Sequence, residues 1–360
     1  MESVKPIPLW STLPVQNGEQ TPVASPEPML KRFLIRLGCF CILQLTMGIV
    51  VVYFGSARQT DHYLASIHDK LELLHATENP RLILVGGSNV AFGIDSEQIG
   101  NALKREPVNF GLHAGLGLDF ALRPVEQAIR PGDTIVVMPE YALLASETQE
   151  GDRETIAQML ELWPDAHRYF DTGFEDVKSF LDTGGLWLAH LWVQRARRRL
   201  FKRELQNGIY TRQGFNRYGD MVAHYGHSPA DIDDRDVVNV FSDECLNRAV
   251  ARLNSFHAAC REKGGQVFFA YPPYPKSHYQ VAETSIARIH DELSKSLTMP
   301  IIDSPDKFTL PADHFFDTIY HLTEKGARHR SRQLAVRLAE YLEHPQLKPM
   351  TAQRNAPEIH

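Results

Sequence analysis

The chain has 360 residues and a formal net charge of −6, with 43% hydrophobic and 23% charged residues. This composition is typical of a chain that buries a core, so it excludes a largely disordered or collagen-like protein. The mild acidity argues against a nucleic-acid partner, and four cysteines are too few for a disulfide framework in a chain of this length.

The first long apolar run, Leu37 to Gly55, contains no charged residue over nineteen positions. A helix of that length spans about 28 Å, which is close to the hydrocarbon thickness of a bilayer. We therefore predict a transmembrane anchor over residues 33–55, with a buried core helix as the alternative. The flanking basic residues lie mostly on the N-terminal side: Lys31, Arg32 and Arg36 before the run, and Arg58 after it. This asymmetry predicts an uncleaved anchor in a bacterial inner membrane, with the C-terminal domain periplasmic or otherwise extracytoplasmic.

Composition divides the rest of the chain. The proline-rich segment 1–32 is predicted to be a disordered cytoplasmic tail, and residues 56–80 a helical spacer. Residues 81–345 are predicted to form the main domain, which carries an insertion at about 145–234. The polar segment 346–360 is predicted to be a frayed tail.

Strand and helix patterns alternate through the main domain. The predicted strands are short apolar runs: Arg81–Gly86, Pro107–Phe110, Thr134–Met138, Gln266–Ala270 and Ile301–Asp303. The predicted helices between and after them are Ser96–Lys104, Leu118–Ile129, Asp243–Lys263 and Thr323–Leu342. This alternation predicts an α/β fold, a three-layer sandwich with a central parallel sheet.

Three loops at predicted strand ends carry reactive or anion-stabilising groups. Ser88 follows the first strand directly, and glycines Gly111 and Gly115 follow the second. Asp317 and His321 lie just before the last helix. Ligands of open parallel sheets bind at the carboxyl ends of the strands, and a hydroxyl nucleophile needs a base and an orienting acid. The pattern therefore favours serine-dependent catalysis, and the alternative is that the three loops are turns with no shared function.

At these positions the sequence resembles the SGNH (GDSL-like) hydrolase superfamily. The segments GGSNVAFGID, VNFGLHAGLG and FFDTIYHLTEKG resemble its membrane-anchored branch associated with polysaccharide acylation. The resemblance implies an SGNH-hydrolase or flavodoxin-like sandwich, with Ser88 as nucleophile, His321 as base and Asp317 as orienting acid. It also implies oxyanion donors from the early loops, for which the candidates are Gly115, Asn89 and Gly111.

The sequence departs from that family pattern at three places. The residue before the serine is Gly87 instead of aspartate, and Glu140 follows the third strand where the family has an asparagine. The acid and the histidine are four positions apart instead of three, which leaves Asp313 as an alternative acid. A carboxylate cannot donate a hydrogen bond to an oxyanion unless it is protonated, so Glu140 is expected to have another role.

Further residues are candidates for substrate contact because they lie near the predicted strand ends or in the polar insertion. These are Glu140, Tyr141, Asn216 and Tyr271. The basic and apolar stretch from Leu186 to Arg203 suits a membrane surface or an acidic polymer, with a solvated helix face as the alternative. His224 and His227 lack further ligands at convincing spacing, so no metal or other cofactor is predicted.

The sequence therefore predicts an acyl-ester hydrolase or O-acyltransferase, with acetyl as the expected group and a surface or secreted polysaccharide as the substrate. The expected partners are that glycan, the lipid bilayer and a polytopic membrane acyltransferase. The alternative is a non-catalytic SGNH-like domain that assembles with such an acyltransferase or binds the polymer.

Overall fold

The structure, a computed structural model, describes residues 27–56, 61–78, 80–170, 208–229, 232 and 242–343. The predicted tail at 1–32 lies mostly outside these residues, and the stretch Leu186–Arg203 and the tail 346–360 lie outside them entirely. Contacts divide the chain into two units, residues 1–55 and 56–360.

All but the last residue of helix α1, Glu27–Ser56, belongs to the first unit, and the helix covers the apolar run. Across the described residues, we find no helix whose length and mean hydropathy together meet the requirement for crossing a bilayer. The anchor at 33–55 stays a prediction.

The second unit is an α/β domain built on a parallel sheet. Its five strands are β1 (Arg81–Val85), β2 (Glu106–Asn109), β3 (Thr134–Val137), β4 (Gln266–Ala270) and β6 (Ile301–Ile302). They lie in the order β2-β1-β3-β4-β6, and all four pairings are parallel. β1 and β3 are buried throughout, as continuous apolar runs in a sheet covered on both faces should be. The predicted α/β class and parallel sheet are confirmed.

Helices cover this sheet in two groups. Helices α4 (Ser96–Leu103) and α10 (Glu324–Glu343) contact each other, as do α5 (Leu118–Ala128) and α8 (Asp243–Glu262). The other α-helices among the described residues of this unit are α2 (Ile67–Ala76), α3 (Ser88–Ala91), α6 (Tyr141–Ala145), α7 (Arg153–Leu162) and α9 (Lys276–Ser296). A second, two-stranded parallel sheet pairs β5 (Tyr274–Pro275) with β7 (Thr309–Leu310).

A buried ion pair holds the amino edge of the main sheet. Arg81, at the start of β1, donates to both carboxylate oxygens of Asp133, at 2.8 and 2.5 Å, and neither side chain is exposed. The same guanidinium donates to the carbonyls of Leu74 and Ala128, so its charge is paired and each of its three nitrogens makes a hydrogen bond. This arrangement fixes the edge opposite the strand ends that carry the reactive groups.

The strand order changes direction between β1 and β3, because the chain adds β2 on one side of β1 and β3 on the other. Open α/β sheets bind ligands at such a switch point, outside the carboxyl ends of the strands. Ser88 follows β1 and Glu140 follows β3, so both lie at this point.

Candidate active site

Ser88 is the first residue of α3, in a tight turn after β1. The N–H groups on either side of it, those of Gly87 and Asn89, donate to the two carboxylate oxygens of Glu140, at 3.1 and 2.9 Å. The N–H of Ser88 itself makes no hydrogen bond to any described residue. Because the first N–H groups of a helix have no intrahelical partner, this one is available to a ligand.

Glu140 explains why the residue before the serine is glycine. A Cβ built on Gly87 would lie 2.5 Å from both carboxylate oxygens of Glu140. An aspartate at position 87 would bring a second carboxylate into the same space. Gly87 and Glu140, the two departures from the pattern of the resembled family, are therefore linked in the structure. Glu140, which follows β3, holds the turn after β1, and Gly87 leaves room for its carboxylate.

This arrangement predicts that Gly87→Ala lowers the free energy of unfolding by about 1–3 kcal/mol, because the new methyl group overpacks against Glu140. Denaturant unfolding of the purified protein measures the effect. In the double variant Gly87→Ala/Glu140→Ala the two losses should be less than additive. Gly38→Ala is the control, since a Cβ there meets no atom within 4 Å. Equal stability of Gly87→Ala and the wild type would contradict the arrangement.

Arg330 stabilises the turn that contains Ser88 through contacts with Asn89. Its guanidinium is buried and donates to the carbonyl oxygen of Asn89, at 2.9 Å, and to the side-chain oxygen of Asn89, at 3.1 Å. Burial lowers the pKa of Arg330 to about 9, while the charge of Glu140 acts in the opposite direction. Asn89 therefore lies between a buried carboxylate and a buried guanidinium, which together restrict the turn.

His321 and Asp317 meet in a closed loop before α10. Phe315 and Leu322 form an antiparallel bridge at the ends of this loop, and Thr318 Oγ1 accepts the N–H of His321 at 3.1 Å. His321 Nδ1 lies 2.8 Å from Asp317 Oδ1. Because the carboxylate accepts there, the neutral ring carries its proton on Nδ1 and leaves Nε2 free to act as a base.

The surroundings favour an ionised Asp317. Burial acts to raise the pKa of Asp317, but hydrogen bonds from His321 and Tyr210 and the charge of His321 hold that pKa below its usual value. Tyr210 donates its hydroxyl to Asp317 Oδ2. The ring of His321 stacks on Phe92, with centroids 3.9 Å apart. The imidazole is thus held by a carboxylate on one edge and a phenyl ring on one face.

The structure pairs His321 with Asp317 and not with the alternative acid. Asp313 instead accepts from Lys325 at 2.8 Å and from His314 at 3.0 Å, and its side chain is 63% exposed. The four-residue spacing is therefore compatible with the pair, since the intervening turn brings both side chains together.

Ser88 and His321 line one cavity of about 230 Å³. Its wall also includes Tyr63 and Phe92, Tyr210, and the polar residues His62, His113, Thr155 and Gln158. Ser88 Oγ makes no hydrogen bond to a described residue, so Ser88 and His321 line the cavity without a hydrogen bond between them. Residues 233 positions apart in the chain thus face the same space.

The three predicted oxyanion donors already have partners. The N–H of Gly115 donates to His113 Nδ1 at 2.9 Å, and the N–H of Gly111 donates to the side-chain oxygen of Asn109 at 3.0 Å. The Asn89 side-chain amide donates to the Met138 carbonyl at 2.8 Å. These groups hold the loops in place, and in this conformation they are not free to bind an oxyanion.

The predicted substrate-contacting residues lie away from the cavity wall. Glu140, Tyr141 and Tyr271 are buried and do not line the cavity, and Tyr271 hydrogen bonds to His290 Nδ1 at 2.7 Å. Asn216 is half-buried, accepts two N–H groups of its own turn, and lines a second cavity. Substrate contact by these four residues stays a prediction to which the geometry gives no support.

Sequence reasoning missed Tyr210 and His113. Tyr210 belongs to the predicted insertion, where no sequence signal links it to Asp317. His113 does lie in the glycine-rich loop after β2, but the sequence does not show that its Nδ1 accepts the N–H of Gly115. Among the described residues no group of three potential metal ligands lies close together, and His224 Nε2 instead contacts the Leu322 carbonyl at 2.8 Å.

Comparison with known proteins adds no identification. No protein-family model matches this chain, and no curated protein matches it significantly.

Proposed function

We propose that this protein is a serine-dependent acyl-ester hydrolase or O-acyltransferase of the SGNH type. The observation that carries the proposal is that His321, paired with Asp317, lines the same cavity as Ser88. The strand order β2-β1-β3-β4-β6 supports it, since a flavodoxin-like sheet places its ligand at the β1/β3 switch point.

The chemistry follows the general logic of a serine, a histidine and an acid. His321 Nε2 takes the proton of the Ser88 hydroxyl while Oγ forms a bond to the acyl carbon of the ester. As the tetrahedral intermediate collapses, the bond to the alcohol oxygen breaks and His321 returns the proton to that oxygen. Water or a sugar hydroxyl then attacks the acyl-Ser88 ester by the same steps. Water gives hydrolysis, and a sugar gives transfer.

Two groups at the cavity replace the predicted oxyanion donors in this scheme. One is the free N–H of Ser88. The other is His113, whose Nδ1 accepts the N–H of Gly115, so that its neutral ring carries the proton on Nε2. Burial lowers the pKa of His113 and His321 adds to that effect, while Asp152 opposes it. A neutral His113 is therefore a hydrogen-bond donor that does not release its proton to the intermediate.

If His113 binds the oxyanion, His113→Ala is expected to lower kcat on an aryl acetate about 100- to 1000-fold with little change in KM. The loss arises because the donor acts on charge that develops only in the transition state. Steady-state kinetics measure it, with His75→Ala as the matched control because His75 is exposed on α2. An unchanged kcat would remove His113 from the oxyanion site.

The cavity favours a small acyl group. A volume of about 230 Å³ is below that of sites for drug-sized ligands, which are roughly 300–1,000 Å³. The wall carries Thr155, Gln158 and His62, which are hydrogen-bonding groups suited to a hydroxylated acceptor. We propose an acetyl group and a surface or secreted polysaccharide, handled outside the cytoplasm by a domain anchored through residues 33–55.

A second candidate function is a non-catalytic domain that binds the polymer or assembles with a polytopic membrane acyltransferase. The observation that favours it is that the N–H groups of Gly111, Gly115 and Asn89 are already occupied. The Ser88 N–H and the intact Asp317–His321 pair favour the enzyme.

The two candidates give different results in one assay. The purified full-length protein is incubated with 4-nitrophenyl acetate, with and without a neutral oligosaccharide. The enzyme is expected to release nitrophenol catalytically, and acetylated sugar in the products identifies transfer. Release no faster than that caused by serum albumin at the same concentration would support the non-catalytic candidate.

A further inference from the structure

A second cavity of about 230 Å³ lies between α2 and the segment 208–229. Its polar wall consists of Ser66, Asp69, Lys70, Arg212, Asn216 and Arg217. Phe215 also lines it, and the Phe215 ring lies 5.2 Å from that of Tyr63, which lines the first cavity. The two cavities therefore share an aromatic wall, but the groups that face them differ.

Lys70 is a buried cation in this wall. Its side chain is almost fully buried, and Nζ donates to the carbonyls of Asn109 and Gly219, at 2.9 and 2.6 Å. Nζ also lies 4.6 Å from the centre of the Phe215 ring. These contacts use two of the three ammonium hydrogens, and no carboxylate of a described residue forms an ion pair with Nζ. Buried charges in proteins are normally paired, so an anion in direct contact with Nζ would stabilise the ammonium form of Lys70.

Two neighbouring carboxylates, Asp220 and Asp69, act on the charge of Lys70 without forming an ion pair with Nζ. Arg212 makes two hydrogen bonds with Asp69, at 2.7 and 2.5 Å, so this carboxylate is already paired. Arg217 is 74% exposed and reaches Glu97 at 3.2 Å. An exposed ion pair of that kind contributes little free energy, and Arg217 also contacts the hydroxyl and ring of Tyr218, contacts that it would exchange for those of a ligand. The wall as a whole carries three cations and one carboxylate.

We infer that this second cavity binds an anion, a carboxylate or sulfate group, between the Lys70 ammonium and the Arg217 guanidinium. The third ammonium hydrogen of Lys70 and the planar guanidinium supply the donors. Such a group can belong to an acidic sugar of a polymer or be a free inorganic anion. The inference stands apart from the proposed reaction at Ser88.

Anion binding at this cavity is coupled to the proton on Lys70. Burial lowers the pKa of Lys70 to about 7, and the charges of Asp220 and Asp69 act to raise it. The charged groups facing it are Asp69 on its own helix and Asp220, Arg212 and Arg217 on the segment opposite. A bound anion favours the protonated form, so binding takes up a proton above pH 7 and weakens as the pH rises.

Isothermal titration of the full-length protein with sodium sulfate, and separately with glucuronate, at constant ionic strength tests the inference. One site is expected, with an affinity about tenfold or more lower at pH 8.5 than at pH 6.5. Arg217→Gln is expected to weaken binding about fivefold or more, and Lys70→Met to abolish it. Arg288→Gln is the matched control, because Arg288 is a similarly exposed arginine that lines neither cavity.

Tighter binding of glucuronate than of sulfate identifies an acidic sugar as the ligand class, and the reverse order identifies a free inorganic anion. The inference is overturned if neither probe binds, or if the affinity is unchanged by Arg217→Gln and by pH. These two criteria hold even if Lys70→Met fails to fold, which circular dichroism detects. Because the readout is binding, its outcome is independent of ester turnover at Ser88.

Discussion

Replacement of Ser88 by alanine is expected to lower kcat/KM on 4-nitrophenyl acetate at least about 1000-fold. The proposed reaction passes through a bond between Ser88 Oγ and the acyl carbon, and alanine has no atom that can form it. The turn itself should persist, since its contacts to Glu140 and Arg330 involve the backbone of Gly87 and Asn89. Steady-state kinetics on the full-length protein measure the effect.

The control for this variant is Ser255→Ala. Ser255 is an exposed serine on α8 whose hydroxyl donates to the Ala251 carbonyl within the same helix. Its removal is expected to leave kcat/KM within a factor of about two of the wild type. Equal rates for Ser88→Ala and the wild type, with both folded, would instead favour the non-catalytic candidate.

Replacement of Asp317 by asparagine is expected to lower kcat about 10⁴-fold at neutral pH, while the fold stays intact. An asparagine can donate to His321 Nδ1, which places the ring proton on Nε2 and removes the base that Ser88 needs. It also removes the negative charge that stabilises the imidazolium formed during the reaction. Kinetics combined with circular dichroism separate this loss from unfolding.

Asp313→Asn is the matched control for Asp317→Asn, because the same change is made four residues away on an exposed side chain that bonds to Lys325 and His314. It is expected to keep full activity. A loss in Asp313→Asn as large as that in Asp317→Asn would contradict the pairing seen in the structure.

Much of the sheet could be predicted because β1 and β3 are buried throughout and β4 is buried after its first residue. The runs at 81–85, 134–137 and 266–270 are continuous and apolar, and β-branched residues are frequent in them. Predicted and observed boundaries agree within about two residues there. Helix α9 was not predicted, because its buried residues His278, Ala282, Ile286, Ile289 and Leu293 are outnumbered by polar ones.

The candidate site was predictable only where its groups are close in sequence or follow a strand. Ser88 was indicated by its place after β1, and His321 and Asp317 by their spacing before α10. The sequence does not show which groups accept from backbone N–H groups. It therefore predicts Gly111, Gly115 and Asn89 as oxyanion donors without showing that the N–H of each makes a hydrogen bond within the domain. Tyr210 could not be predicted either, because the hydrogen bond from its hydroxyl to Asp317 joins residues 107 positions apart.

A contact between Gly87 and Glu140 also could not be predicted from the sequence. Gly87 and Glu140 each departed from that pattern, and the sequence alone gave no reason to connect them. In the structure the carboxylate of Glu140 occupies the space beside Gly87 and accepts the N–H groups flanking the serine. Glu140, at the position where the resembled family has an asparagine, fixes the turn that presents Ser88.

The most direct test of the account is the site of acylation. Full-length protein is mixed with 4-nitrophenyl acetate, quenched in acid during turnover, digested, and examined by tandem mass spectrometry. The account predicts one added acetyl group on the peptide that contains Ser88, located on the serine and lost after prolonged incubation. Turnover without any acetyl group at Ser88, or with the group on another residue, would contradict it.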